Sequence, residues 1–148
     1  NLYGPNDNFN LESSHVLAAL IRKFNDAKEN NTDSVTLWGD GSPYREFLHV
    51  HDLAEAAVFC MKEYDKGEII NIGTGEDIQI KSLSSLVSEI VGYSGKILWD
   101  KTKPNGTHRK LLDNTKISSL GWKPKISLKD GIEDTYKWFI NNIEKVKL

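Results

Sequence analysis

The chain has 148 residues, enough for one domain of ordinary size, and its 39% hydrophobic and 27% charged residues are typical of a globular protein. A formal net charge of −2 offers no basic surface for nucleic acid, and the single cysteine, Cys60, excludes a disulfide within the chain. No apolar run approaches the roughly 18 residues of a membrane span. We therefore expect no membrane partner and a cytoplasmic location.

Helices alternate with short strands along the chain, which predicts an α/β fold. Apolar periodicity predicts helices over about 14–29, 52–64, 83–91, 115–120 and 127–143, and β-branched or aromatic runs predict strands at 35–38, 47–50, 69–72 and 97–99. Ser13 or Ser14, Asp52 and Ser127 are the expected helix caps, with Glu55 completing a capping box after Asp52. The run 69–72 is interpreted as a buried, parallel strand.

The predicted strands are too few for a complete doubly wound sheet. The chain also opens on Asn1-Leu2-Tyr3-Gly4-Pro5, a turn of the kind that follows a strand, with no strand before it. We therefore expect the chain to be part of a longer protein.

Five stretches carry a family resemblance, namely 1–5 (NLYGP), 45–52 (REFLHVHD), 71–75 (NIGTG), 120–124 (LGWKP) and 127–132 (SLKDGI). In this order and spacing they resemble the second half of extended short-chain dehydrogenases, which epimerise, dehydrate or reduce nucleotide-activated sugars. Three further stretches, 14–24, 37–47 and 103–113, are similar to the GDP-L-fucose synthase family. The resemblance covers roughly residues 1–142.

This resemblance implies the C-terminal, substrate-binding portion of an NAD(P)-binding Rossmann-type enzyme, with a small mixed sheet and helices. Segments at about 1–5 and 51–75 would complete a Rossmann domain upstream, which would hold most of the NADP(H) site and the catalytic Tyr and Lys. The implied reaction converts GDP-4-keto-6-deoxy-D-mannose to GDP-L-fucose by 3,5-epimerisation and NADPH-dependent reduction. The parent is expected to be a homodimer, and the isolated chain is expected to be inactive.

His15 is the candidate catalytic residue. Epimerisation beside a ketone needs an acid to return a proton, and histidine titrates nearest neutrality. The resemblance gives His15 this role, next to the nicotinamide. Lys23, eight residues later on the same predicted helix, is placed by the family at a substrate contact. The alternatives are an exposed histidine at a helix N-terminus and a solvated lysine.

Arg45 is the candidate diphosphate ligand, because a guanidinium can bind phosphate oxygens bidentately. The alternative is a surface ion pair with Glu46 or Asp52. Trp38 can pack on a sugar or base ring, or else belong to the core. Lys110 adds positive charge near the diphosphate.

The resemblance also places Asn1 and Leu2 against the nicotinamide end of NADP. Asn105 stands where the family usually has Asp at a substrate contact. Because an amide offers one acceptor oxygen, the preference for guanine is open if that contact is to the base.

His49, His51 and Asp52 could suggest a metal site, but Asp52 suits a helix cap better and we expect no metal. Two other functions remain open. One is a related enzyme acting on UDP-, dTDP- or CDP-sugars, and the other is a non-catalytic nucleotide-sugar-binding domain.

Overall fold

The computed structural model describes residues 1–146, which form an α/β fold of five helices and seven short strands. The strands are β1 (Leu2–Tyr3), β2 (Ser34–Trp38), β3 (Tyr44–Glu46), β4 (Leu48–His49), β5 (Asp77–Gln79), β6 (Lys96–Asp100) and β7 (Arg109–Lys110). The helices are α1 (Val16–Glu29), α2 (Val50–Glu63), α3 (Ile80–Val91), α4 (Thr115–Ser119) and α5 (Leu128–Asn141). None of the helices described is long and apolar enough to cross a membrane.

The strands form three small sheets. β1 pairs with β4, and β2 pairs with β6, both in parallel. In the third sheet β3 is central, antiparallel to β5 on one side and parallel to β7 on the other. The predicted small mixed sheet is therefore confirmed, and its central strand carries Arg45.

The main core lies where α1, α3 and α5 pack together with β2. Its buried side chains recur at helical spacing on all three helices, so each helix turns one apolar face inward. The largest of these buried side chains include Phe9, Leu17, Ile21, Phe24, Leu83, Val87, Ile132 and Phe139. A smaller cluster joins α2 to the chain around α4 through Leu48, Ala56, Ile117 and Trp122.

The predicted helix ends are partly right. Gly92, in the left-handed region at φ 77°, ends α3, and the Ser127 side chain accepts from Asp130 N at the start of α5, as expected. The first cap is wrong, since α1 begins after His15 and has no side-chain cap. Asp52 is not a cap either. The helix begins after His49, whose Nδ1 accepts from His51 N.

One other expectation fails after α2. The run 69–72 forms no strand, and Ile69 is 88% exposed. Met61, near the end of α2, is 86% exposed. Both side chains are therefore largely exposed to solvent in the structure of residues 1–146.

Candidate functional site

A pocket of about 200 Å³ opens where β2, β3 and the start of α1 meet. It is lined by Val16, Gly41, Trp38, Pro43, Arg45, Ile80, Pro104 and Asn105. Three residues singled out from the sequence, Trp38, Arg45 and Asn105, are thus brought together. Val16 is the residue after His15, so the first turn of α1 borders the same pocket.

Trp38 is the last residue of β2 and is 67% exposed. Val35 and Leu37 on the same strand are buried, so alternation along the strand turns Trp38 away from the core. The interpretation of Trp38 as a core residue is therefore wrong. An exposed indole at a pocket edge offers an apolar face to a sugar or base ring.

Arg45 lies in the middle of β3 and donates from Nη1 to the carbonyl of Tyr44 at 2.7 Å. Among residues 1–146 it forms no ion pair with Glu46 or Asp52. Its remaining N–H donors are thus not consumed by a carboxylate, as an anion-binding guanidinium requires. Arg45 also borders a second cavity of about 490 Å³, on the side of Thr74 and Asp77.

His15 and Lys23 lie on α1, with His15 exposed as the N-cap residue and Lys23 half-buried. Burial lowers the pKa of Lys23, and within the described chain no carboxylate pairs with its ammonium group. Burial raises the pKa of Asp7, and the backbone of Asn8 and the nearby His15 partly oppose that rise. Neither side chain lines the pocket itself, although His15 adjoins it.

Asn105 has a structural contact that the sequence did not indicate. Its Oδ1 accepts a hydrogen bond from Asp40 N at 2.9 Å, and a Cβ on Gly39 would collide with the same oxygen. The one acceptor oxygen of the amide is therefore used within the protein. This contact ties the loop after β6 to the turn after β2.

The remaining candidates do not line this pocket. Lys110 is on β7 directly beside Arg45, and its side chain is exposed. Asn1 donates from Nδ2 to the Glu46 carbonyl at 2.9 Å, which fixes β1 next to β3. Leu2 is 47% exposed and lines a separate shallow pocket with Val50.

Glu46, whose role the sequence did not indicate, is 3% exposed. Its Oε1 accepts from Gly75 N at 2.7 Å and from Thr74 Oγ1 at 3.3 Å, while Oε2 accepts from Leu112 N at 3.0 Å. One buried carboxylate therefore holds two loops against β3. No local signal separated the roles of Arg45 and Glu46, because the strand on which they alternate is defined by its pairing with β5 and β7.

His49, His51 and Asp134 bring three possible metal-ligand atoms within 4.8 Å of one another. However, His49 Nδ1 already accepts from His51 N, so in the neutral ring Nε2 carries the proton. Nε2 lies 3.5 Å from Asp134 Oδ2 but makes no hydrogen bond within residues 1–146. A protonated nitrogen has no lone pair for a metal, so this cluster fits a histidine–aspartate pair better. The expected absence of a metal stays a prediction.

The sequence of this chain is similar to those of known proteins. The profile described as "NAD dependent epimerase/dehydratase family" matches residues 1–73. A protein named "Putative GDP-L-fucose synthase 2" from Arabidopsis thaliana is 58% identical over 99% of this chain and 45% of its own length. The GDP-L-fucose synthase of Escherichia coli (strain K12) is 43% identical over 99% of this chain and 49% of its own length.

The fold of the chain is also similar to that of a solved structure. The crystal structure of a GDP-L-fucose synthetase from Naegleria fowleri bound to NADP superposes with a TM-score of 0.94 at 30% identity, covering 100% of this chain and 47% of that one. The chain spans about half the length of the curated relatives it matches. The chain belongs to the extended short-chain dehydrogenase superfamily: residues 1–73 match the NAD-dependent epimerase/dehydratase family, and nearly the whole chain is similar to about half of a GDP-L-fucose synthase.

Proposed function

We propose that this chain is the substrate-binding part of an enzyme that converts GDP-4-keto-6-deoxy-D-mannose to GDP-L-fucose. One observation carries the proposal. Trp38 and Arg45 line one pocket, and the helix that begins after His15 borders it. Within residues 1–146 the site offers a ring-stacking surface, a guanidinium without a carboxylate partner and an exposed histidine. These suit the three parts of a nucleotide-sugar: ring, diphosphate and reacting sugar.

Each residue has a distinct role in this proposal. Arg45 binds diphosphate oxygens, and Trp38 packs on a ring of the ligand. His15 holds the proton that returns to the sugar carbon on the face opposite its removal. Lys23 adds a half-buried ammonium for a further oxygen of the substrate, and Lys110 adds positive charge beside Arg45. When bound, NADPH supplies the hydride that reduces the 4-keto group.

The cofactor is expected to be held mainly by the rest of a longer protein, with Asn1, Leu2 and His15 at its nicotinamide end. Nothing in this chain matches the Tyr-x-x-x-Lys pair of the reductase site. The chain 1–148 alone is therefore expected not to oxidise NADPH.

The segments 1–5 and 51–75 are proposed to complete a Rossmann domain formed by that longer protein. Val58 and Met61 on α2 are 52% and 86% exposed, and Ile69 after it is 88% exposed. We expect these exposed apolar side chains to be covered by another surface in the full-length protein. Met61 is the sole methionine of this chain. Its oxidation by peroxide, followed by mass spectrometry, should be slower in the full-length protein than in the isolated chain, and equal rates would contradict this organisation.

We also propose that the full-length protein is a homodimer located in the cytoplasm. Sedimentation velocity on the purified protein tests the first statement, and fractionation of the cells that produce it tests the second.

The activity is tested on the full-length protein by following NADPH absorbance with GDP-4-keto-6-deoxy-D-mannose. We expect oxidation by the wild type and a loss of at least about a hundredfold in kcat for His15→Ala, the usual scale for a general acid. The matched control is His108→Ala, which removes another exposed histidine on a loop. Arg45→Lys keeps the charge but loses the bidentate contact, so KM should rise by about tenfold.

The outcomes separate the parts of the proposal. Full activity of His15→Ala would remove His15 from the chemistry but leave the reaction. Turnover of a UDP-, dTDP- or CDP-sugar without turnover of the GDP-sugar would contradict the assigned substrate. Binding without turnover of any of these would favour a non-catalytic nucleotide-sugar-binding protein.

A further inference from the structure

The loop after β6, residues 101–107, is anchored on both sides of Lys103. Before it, Asp100 O accepts from Lys103 N at 3.2 Å, so Lys103 closes a turn at the end of β6. After it, the Asn105 side chain accepts from Asp40 N at 2.9 Å. All residues of this loop are exposed, yet hydrogen bonds of the Lys103 backbone N–H and of the Asn105 side chain hold it in place.

These anchors place the ammonium group of Lys103 over the indole of Trp38, 5.5 Å from the ring centroid. Three residues later the loop reaches Arg45, because a Cβ on Gly106 would lie 3.6 Å from Arg45 Nη2. Lys103 therefore stands beside a pocket that Trp38, Arg45 and Asn105 line. A cation over an exposed aromatic face is held weakly, so Lys103 can leave Trp38 when a better partner arrives.

The charged side chains around the pocket differ in whether they have a partner. Within residues 1–146, neither Lys103 nor Arg45 forms an ion pair. Asp100, three residues before Lys103, accepts hydrogen bonds from Thr102 N at 3.0 Å and Thr102 Oγ1 at 2.6 Å. Two cations without carboxylate partners at one small pocket match a ligand that carries more than one negative charge, such as a nucleoside diphosphate.

We propose that Lys103 is a second diphosphate-binding residue, which covers the Trp38 face in the free protein and moves to the phosphates when a ligand ring stacks on Trp38. A flexible four-carbon stem with a compact charge suits this movement better than a planar guanidinium does. Asn105 is the positioning residue that holds the loop in place. This inference rests on the proposed function, since it assumes that a nucleoside diphosphate occupies the pocket.

The test compares two probes, GDP and guanosine, on the full-length protein. Their affinities are measured by ligand-observed NMR for the wild type, Lys103→Ala and Lys101→Ala. Lys101 is an exposed lysine on the same loop, so Lys101→Ala is a matched control. Lys103→Ala should weaken GDP by about tenfold, the usual loss for one charged hydrogen bond. Guanosine, which has no phosphate, should bind Lys103→Ala as tightly as the wild type or more tightly, because the ammonium no longer competes for Trp38.

An equal loss of GDP and guanosine in Lys103→Ala would overturn the inference, because it would mean that Lys103 only shapes the loop. So would an unchanged GDP affinity, or a loss matched by Lys101→Ala. A thermal unfolding midpoint equal to that of the wild type shows that the variant is folded. If the wild type itself binds no GDP, the proposed function fails first and the inference falls with it.

Discussion

Replacing the buried carboxylate of Glu46 with an amide should release the two loops that it holds. Glu46→Gln preserves the shape and one acceptor oxygen, which can keep the contacts with Gly75 N and Thr74 Oγ1. The new NH₂ group then faces Leu112 N, a donor, in place of the acceptor Oε2. One charged hydrogen bond is lost and two donors oppose each other, so we expect local stability to fall by about 2 kcal/mol.

Amide hydrogen exchange measures this effect at the loops themselves. A local loss of about 2 kcal/mol corresponds to exchange about 30-fold faster, since each tenfold change is about 1.4 kcal/mol. The increase should be largest in peptides that contain Leu112 and smaller in those that contain Gly75. Glu76→Gln, a change at an exposed neighbour with the same chemistry, is the control and should leave both peptides unchanged. Unchanged exchange around Leu112 in Glu46→Gln would refute the assignment of this carboxylate.

Three further predictions concern other buried or loop contacts. Asp52→Asn should destabilise the protein by about 1–3 kcal/mol in thermal unfolding, because the carboxylate accepts from the backbone N–H groups of Lys125 and Ile126; an unchanged midpoint would contradict this. Burial lowers the pKa of His49 below its ordinary value of 6.5, so the unfolded chain binds a proton that the folded chain does not. Stability should therefore fall as the pH drops through about 6.5, and the fall should be smaller in His49→Gln. An equal fall in wild type and variant would show that His49 does not cause this pH dependence. Asn105→Asp keeps the acceptor oxygen and should leave GDP affinity within about threefold of wild type. Asn105→Ala should weaken GDP binding by about tenfold in the same NMR titration. A larger loss of GDP affinity in Asn105→Asp than in Asn105→Ala would favour a direct ligand contact.

Sequence patterns predicted the helices and strands whose formation depends mainly on residues close together in the chain. Apolar periodicity located α1, α3 and α5, and the β-branched and aromatic runs located β2 and β6. The short strands β3, β5 and β7 could not be predicted in the same way, because each exists through hydrogen bonds to segments far along the chain. The prediction of a strand at 69–72 was wrong because a strand needs a neighbouring strand with which to pair.

Helix caps show where tertiary contacts override a local pattern. Asp52 has the residue type and spacing of a capping box, yet its carboxylate binds backbone N–H groups more than 70 residues later in the chain. In the site, the resemblance singled out Trp38, Arg45 and Asn105, and the structure places them at one pocket. The resemblance could not indicate that Asn105 Oδ1 accepts a hydrogen bond from Asp40 N, because that contact depends on how two loops meet.

The parallel pairing of β2 with β6 has an evolutionary consequence. Trp38 is in register with Asp100, so the turn after β2 and the loop 101–107 leave the pair at the same end. Val35 and Leu37, which anchor the pair in the core, lie further back along the strand. Insertions, deletions or new residues in the loop can therefore reshape the pocket without disturbing the packed interior. A lineage could explore new ligands here by loop variation alone, at little risk to folding.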